Sequence, residues 1–326
     1  MTASSTRPGP APRAPRTTEA HVHRPAPASP APCAPSYHRL AVLTPVVSVR
    51  CAPPRRGDGW LTVADLAADP GAVRELVAHD ARQGLARYRR PLRPDVAAGF
   101  GLHRFVWPVS LLFTVPWFLE RRVPLLGPAD VSVRRGPGSV ELTVRPESFA
   151  CLPDDPAVGA PQARTAPNEP ALAAELLGAL GEFLAPVLAA FGPEVRRGPR
   201  VLWAMATDAV VEGLGYAGGL LGEQERARAE LTALLAPGEP AACAPGAGRC
   251  PAPAPAPFTP GAGFADPAPG RPGAPDGPAE GSVGASDTDR ARASCCLVYT
   301  VEPEDMCGGC PRIRRRRAAP PPVTPG

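Results

Sequence analysis

The sequence predicts a mostly helical α+β single domain with a small antiparallel β-hairpin or sheet, a cysteine-rich C-terminal loop and disordered tails. Three observations lead there. Apolar residues recur at helical spacing in successive blocks between 70 and 235. One strand–turn–strand pattern stands out at 131–144, where apolar and polar residues alternate on both sides of Gly136-Pro137-Gly138-Ser139. The 48 Pro and 33 Gly are unevenly spread, crowding the two ends and one internal segment. Setting those aside leaves roughly 200 residues of ordinary composition, enough for one sizeable core. The chain divides into a Pro/Ala-rich tail (1–36), a helical body (37–236), an Ala/Pro/Gly-rich linker (237–290), a cysteine motif (291–313) and a basic, Pro-rich end (314–326).

The elements follow in order. Residues 40–49 are apolar and β-branched and read as a strand or extended segment, with Pro45 favouring an edge. A short helix is expected after Thr62. Asp69 then reads as the N-cap of a longer helix with Pro70 at its first position. Val73, Leu76, Val77, Leu85 and Tyr88 fall near one face of it, and His79 reads as a surface or satisfied interface residue. The block from Asp95 to Arg121 holds much of the aromatic core. Pro108 and Pro116 are expected to break it into a buried helical hairpin. His103-Arg104, just ahead of the apolar run, is a candidate anion contact. Arg134 and Arg135 lie on the first arm of the 131–144 hairpin, and 151–167 reads as loop.

Asn168 caps the next helix, which Pro186 interrupts. Gly198-Pro199 opens another with a stripe of Val201, Leu202, Met205, Ala209, Val210 and Leu214. A last helix covers about 220–235. Gly213-Leu214-Gly215-Tyr216-Ala217-Gly218 spells a dinucleotide fingerprint. A helical stripe precedes it where that motif needs a strand, so a loop between helices is expected instead.

Composition excludes little by itself. All 35 basic residues are Arg, and the net charge is +4. With Ala, Gly and Pro abundant as well, Arg enrichment argues only weakly for nucleic acid, and no nucleic-acid partner is expected. Residues 1–36 hold no apolar run, so no export signal is read there. The apolar stretch 105–119 is too short and broken to span a bilayer, which leaves peripheral contact at most. A reducing cytoplasmic setting follows, where cysteines bind metal or stay free.

Four of the nine cysteines gather at the C-terminus: Cys295, Cys296, Cys307 and Cys310. Thiols this dense form a metal site or a disulfide knot. Gly308 and Gly309 fill the Cys-x-x-Cys turn and let backbone N–H groups approach sulfur. A vicinal Cys-Cys pair is not a zinc knuckle. Successive side chains of extended backbone point to opposite faces, so both sulfurs reach one centre only if the chain turns sharply there. A two-iron cluster, offering more than one attachment point, is the easier target; zinc and disulfides are the alternatives. Cys33 reads as a bystander, Cys151 as structural or free, and Cys243 and Cys250 as unligated, while His21 and His23 lie in a tail that cannot fix metal geometry.

Cys295-Cys296-x10-Cys307-x2-Cys310, with Tyr299 after the pair and Pro311 after the last cysteine, resembles the terminal motif of the FhuF-type ferric-siderophore reductases. The resemblance extends less sharply over 92–236. There Pro124-Leu125-Leu126 leads into the hairpin, Leu184-Ala185-Pro186 breaks a helix and Val201-Leu202-Trp203 opens another. The long Ala/Pro/Gly segment before the motif departs from the family. The resemblance implies a 2Fe–2S cluster on the four cysteines, a ferric-siderophore substrate and an electron-donor protein. It implies reduction of Fe(III) to the weakly held Fe(II), which needs no acid–base machinery. The arginines after Cys310 are candidates for docking an acidic donor or an anionic ferric complex. Two other classes compete: a zinc- or cluster-bearing siderophore-binding accessory module, and a nicotinamide enzyme built around Gly215.

Overall fold

The computed structural model describes residues 31–136, 138–236, 258, 263–264, 290–303 and 310–312. Expectations for the N-terminal tail with His21 and His23, most of the linker with Cys243 and Cys250, and the final basic stretch fall outside the described residues.

The body is α+β, with seven α-helices among the described residues. Helix α4 (Pro94–Glu120) is its axis; α3 (Pro70–Tyr88), α5 (Glu169–Val195), α6 (Pro199–Leu220) and α1 (Ala34–Leu43) pack around it. Phe105, Leu111, Leu112, Phe113 and Phe118 of α4 are fully buried against Phe183, Leu184 and Phe191 of α5 and Leu202, Val210 and Leu214 of α6. Helices α2 (Val63–Ala68) and α7 (Gln224–Leu234) complete the shell. The caps fall where the side chains predict them. Thr62 accepts from Asp65 N–H, Asp69 from Gly71 N–H and Asn168 from Ala171 N–H, at 3.0, 2.7 and 2.9 Å.

The sheets are mixed rather than purely antiparallel. The predicted hairpin is present as β4 (Val131–Gly136) and β5 (Ser139–Val144). β1 (Val47–Cys51) joins β5 in parallel at one edge, and β2 (Trp60–Thr62) joins β4 at the other. A second sheet orders β3 (Arg122–Pro124), β6 (Phe149–Cys151) and β7 (Ala163–Thr165), so 151–167 is not simply loop.

Other expectations are corrected as well. Residues 34–43 form helix α1, inside what reads as tail and strand; only Val47–Cys51 is extended, on a sheet edge. Cys33 precedes α1 and is fully buried in the core rather than idle in a tail. Pro108 and Pro116 do not produce a hairpin, nor does Pro186 end its helix: α4 and α5 each run unbroken for 27 residues. The chemistry is local. A helical proline frees the carbonyl four residues back. For Pro116 that is Leu112, and the buried Tyr37 hydroxyl donates to this oxygen at 2.9 Å. Burial also pushes the Tyr37 phenol well above its ordinary range, so it stays a donor. For Pro186 and Pro193 the freed carbonyls belong to Glu182 and Ala189, both exposed to solvent. Tyr37→Phe is expected to cost about 1–3 kcal/mol of unfolding free energy in a denaturant titration, because it orphans a buried acceptor.

Helices α4 and α5 are long and apolar enough to cross a bilayer by length and composition. The body covers 72% of the relevant α4 window and 44% of the α5 window. The glycine motif lies within α6 rather than in a loop. A Cβ on Gly213 would stand 3.3 Å from the Trp107 carbonyl, and one on Gly218 only 2.4 Å from Ala227 Cβ. Those glycines let α6 approach α4 and α7, which explains them without a nucleotide.

Candidate iron–sulfur site

The cysteine segment is held against α6 by one buried carboxylate. Asp208 sits mid-helix, 1% exposed. It accepts the backbone N–H of Ala293 and of Ser294, both at 2.8 Å, and the Ser294 hydroxyl at 2.6 Å. The Arg292 guanidinium lies 3.8 Å away and balances its charge. Asp208 was not singled out from the sequence. The available signal was an acid embedded in an apolar helical stripe, a position where ionised residues are rare unless paired.

Helix α6 also takes up part of the linker: Phe258 is buried, its ring 5.5 Å from that of Trp203. A short pair, β8 (Gly263–Phe264) with β9 (Arg290–Ala291), returns the chain just ahead of the cysteines.

Past Asp208's anchor the chain reverses sharply. Leu297 adopts φ 63°, ψ 8°, and a single 3-10 turn follows over Val298–Thr300. A non-glycine residue in the left-handed region carries a real cost and marks a constrained turn. It comes directly after Cys295-Cys296, where two adjacent sulfurs require a bend. The Leu297 N–H is hydrogen-bonded to Cys295 and opposes the rise that burial imposes on that thiol. Cys296 and Cys310 add to the rise and Arg312 opposes it, so charges on all three groups are felt at Cys295. Cys310 is 3% exposed. Arg312 stacks 4.1 Å over the Tyr299 ring, which ties the residues after the last cysteine to the turn after the first two.

Cys307 lies outside the described residues. Among the described residues no three His, Cys, Asp or Glu side chains close a metal-holding group. Cys295, Cys296 and Cys310 lie near enough for charge on the latter two to be felt at Cys295. Their donor set suits a soft, thiolate-bound centre: sulfur ligands, a backbone N–H on sulfur, a nearby guanidinium and apolar packing from Leu297 and Val301.

A cavity of about 590 Å³ opens beside them. Cys295, Cys296 and Leu297 form one wall. The start of α4 (Asp95, Val96, Gly99) and of α6 (Arg200, Val201, Ala204, Met205) form the others. His79 and the proposed anion contacts lie elsewhere and are spoken for. His79 bonds Gln83, His103 lies 3.2 Å from Glu212, and Arg104 bonds the buried Asp80, which Arg135 also grips. Those residues sew α3, α4 and β4 together.

Residues 292–312 match the family model of the FhuF 2Fe-2S C-terminal domain. The chain carries an FhuF-type 2Fe–2S domain. A domain of this type binds a 2Fe–2S cluster, which makes the chain an iron–sulfur protein and points to siderophore-iron acquisition. The match starts at Arg292, beside the Asp208 anchor, and ends at Arg312, which lies over Tyr299. No curated protein and no solved structure matches the chain.

Proposed function

We propose that the protein releases iron from ferric siderophores by one-electron reduction. The observation that carries this reading is the placement of Cys295 and Cys296, within an FhuF-type domain, on the wall of a cavity large enough for a small-molecule ligand. Cys295, Cys296, Cys307 and Cys310 are the residues that would hold the cluster. When bound, it supplies reversible one-electron chemistry at low potential.

The chain's own residues do the rest. Asp208 fixes the backbone ahead of the cysteine pair. Leu297 bends the chain directly after the pair, and Cys295 and Cys296 both line the cavity. Val96, Val201, Ala204 and Met205 offer an apolar surface to the ligand frame and limit water there. One electron enters from a reduced donor protein and leaves on the ferric ion, giving Fe(II). The chelate's hard oxygen donors hold Fe(II) far less tightly, so no proton transfer is needed. We place the reaction in the cytoplasm, with at most peripheral membrane contact; the burial of α4 supports a core role for that helix.

The test uses anaerobic protein, reduced and separated from reductant, mixed with a ferric siderophore and a ferrous-selective chromogenic chelator. Ferrous complex should appear in proportion to the electrons stored. Colourless protein holding one zinc per chain and giving no ferrous ion would instead support a binding module.

A further inference from the structure

We infer that Gly99 sets the size of the chelate frame that the cavity beside the cysteine pair admits, with the Met205 side chain as an adjustable wall opposite it. The inference rests on the reading of this cavity as the ferric-complex site and adds a specificity-determining position to it.

Helices α4 and α6 run side by side in the same direction: Gly99 stands beside Met205, and Trp107 beside Gly213. The cavity lies at the end where both helices begin. Glycine inside a helix costs stability relative to alanine, so each one asks for a reason. Gly213 has one, since a Cβ there would stand 3.3 Å from the Trp107 carbonyl and keep the helices apart. Gly101 has one too, with Asp80 Oδ2 3.0 Å from the same position. Gly99 is buried, yet no backbone or fixed group crowds it. A Cβ there would meet one atom, the terminal methyl of Met205, at 3.3 Å; beyond its own helix no other described atom comes within 4 Å. A side chain at this position would therefore grow into the open cavity, which Gly99 and Met205 both line.

Size is the property this arrangement controls. Val96 and Ala204 are short side chains held by packing, 1% and 8% exposed. Met205 is unbranched and flexible, and its methyl end can swing aside. Alanine at 99 would ask that methyl to give by a few tenths of an ångström. Leucine adds a branched end that has only the cavity to occupy. The narrowed cavity would still admit a compact chelate and would exclude one whose long connecting chain wraps the metal.

Two gallium(III) hydroxamates of different bulk are the probes. One is the tris complex of acetohydroxamate, kept intact by excess ligand. The other is a hexadentate trihydroxamate, in which a long chain joins the three groups. Both are neutral around the metal, so charge is held constant, and gallium accepts no electron, so binding is read without turnover. Calorimetry on anaerobically purified full-length protein should show Gly99→Leu binding the trihydroxamate at least about tenfold more weakly than the parent, while the compact complex changes by no more than about twofold. Adding Met205→Ala should bring the trihydroxamate back to within about threefold of the parent, a coupling between neighbours that general packing damage would not show. Leucine favours a helix more than glycine does, and the iron–sulfur absorption and midpoint potential of Gly99→Leu should match the parent's. Equal losses for both complexes, no loss for either, or a loss that Met205→Ala leaves unreversed would overturn the size selection. Failure of the parent to reduce any ferric chelate would count against the reductase reading itself. Reduction intact, with a parent that binds neither complex or a variant that binds both as the parent does, would overturn only the selection.

Discussion

An Asp208→Ala chain is expected to keep its helical body and lose its grip on the cysteine segment. Three hydrogen bonds end on this carboxylate, and bonds to a charged group are worth about 1.5–3 kcal/mol each. Alanine leaves three donors without an acceptor in a partly buried interface. Letting residues 292–297 lift into water costs less than keeping those donors buried, so the segment should undock before α6 unfolds. Two readouts separate this from general damage. Circular dichroism and the main unfolding transition should stay close to those of the parent. Hydrogen exchange at the Ala293 and Ser294 amides should accelerate, and loss of iron to a chelator should quicken by about tenfold or more, the equivalent of about 1.4 kcal/mol. Ser294→Ala, which removes only the hydroxyl bond, should show a weaker version of the same pattern. Unchanged exchange at both amides in Asp208→Ala would show that the anchor does not hold the segment.

The second large effect concerns the sulfurs. Cys307→Ser is expected to abolish both the iron–sulfur absorption and ferrous release, since losing a thiolate leaves one attachment point of the cluster open. Cys296→Ser should behave alike. Cys151→Ser should not: Cys151 lies buried in β6, a strand paired with β3 and β7, and its thiol is pushed up chiefly by burial, so it belongs to the core. Ferrous release that persists in Cys307→Ser with the absorption gone would detach the chemistry from the cluster.

The features written in short stretches of sequence were legible. Thr62, Asp69 and Asn168 announce their helices because a cap is a contact between near neighbours. The 131–144 hairpin shows in its alternation, and the cysteine motif needs no partner to be seen. What escaped depends on residues far apart. Residues 40–43 look extended by composition, yet Tyr37 and Leu40 find burial against α4 and turn the segment helical. Pro116 looks like a helix breaker, but the acceptor it frees is met by a hydroxyl 75 residues away in sequence. Asp208 looks like one acid in a stripe, and its partners stand 85 and 86 residues further on. In each case a local cost is met by a distant group, and nothing within one helical turn reveals it.

Thiolates at the C-terminus are proposed to hold a redox-active pair of irons against the helical body. The most direct measurement is iron and acid-labile sulfide, determined together on anaerobically purified protein. About two of each per chain are expected, in a reddish-brown solution that bleaches on reduction. Protein with neither iron nor inorganic sulfide after anaerobic reconstitution would contradict it.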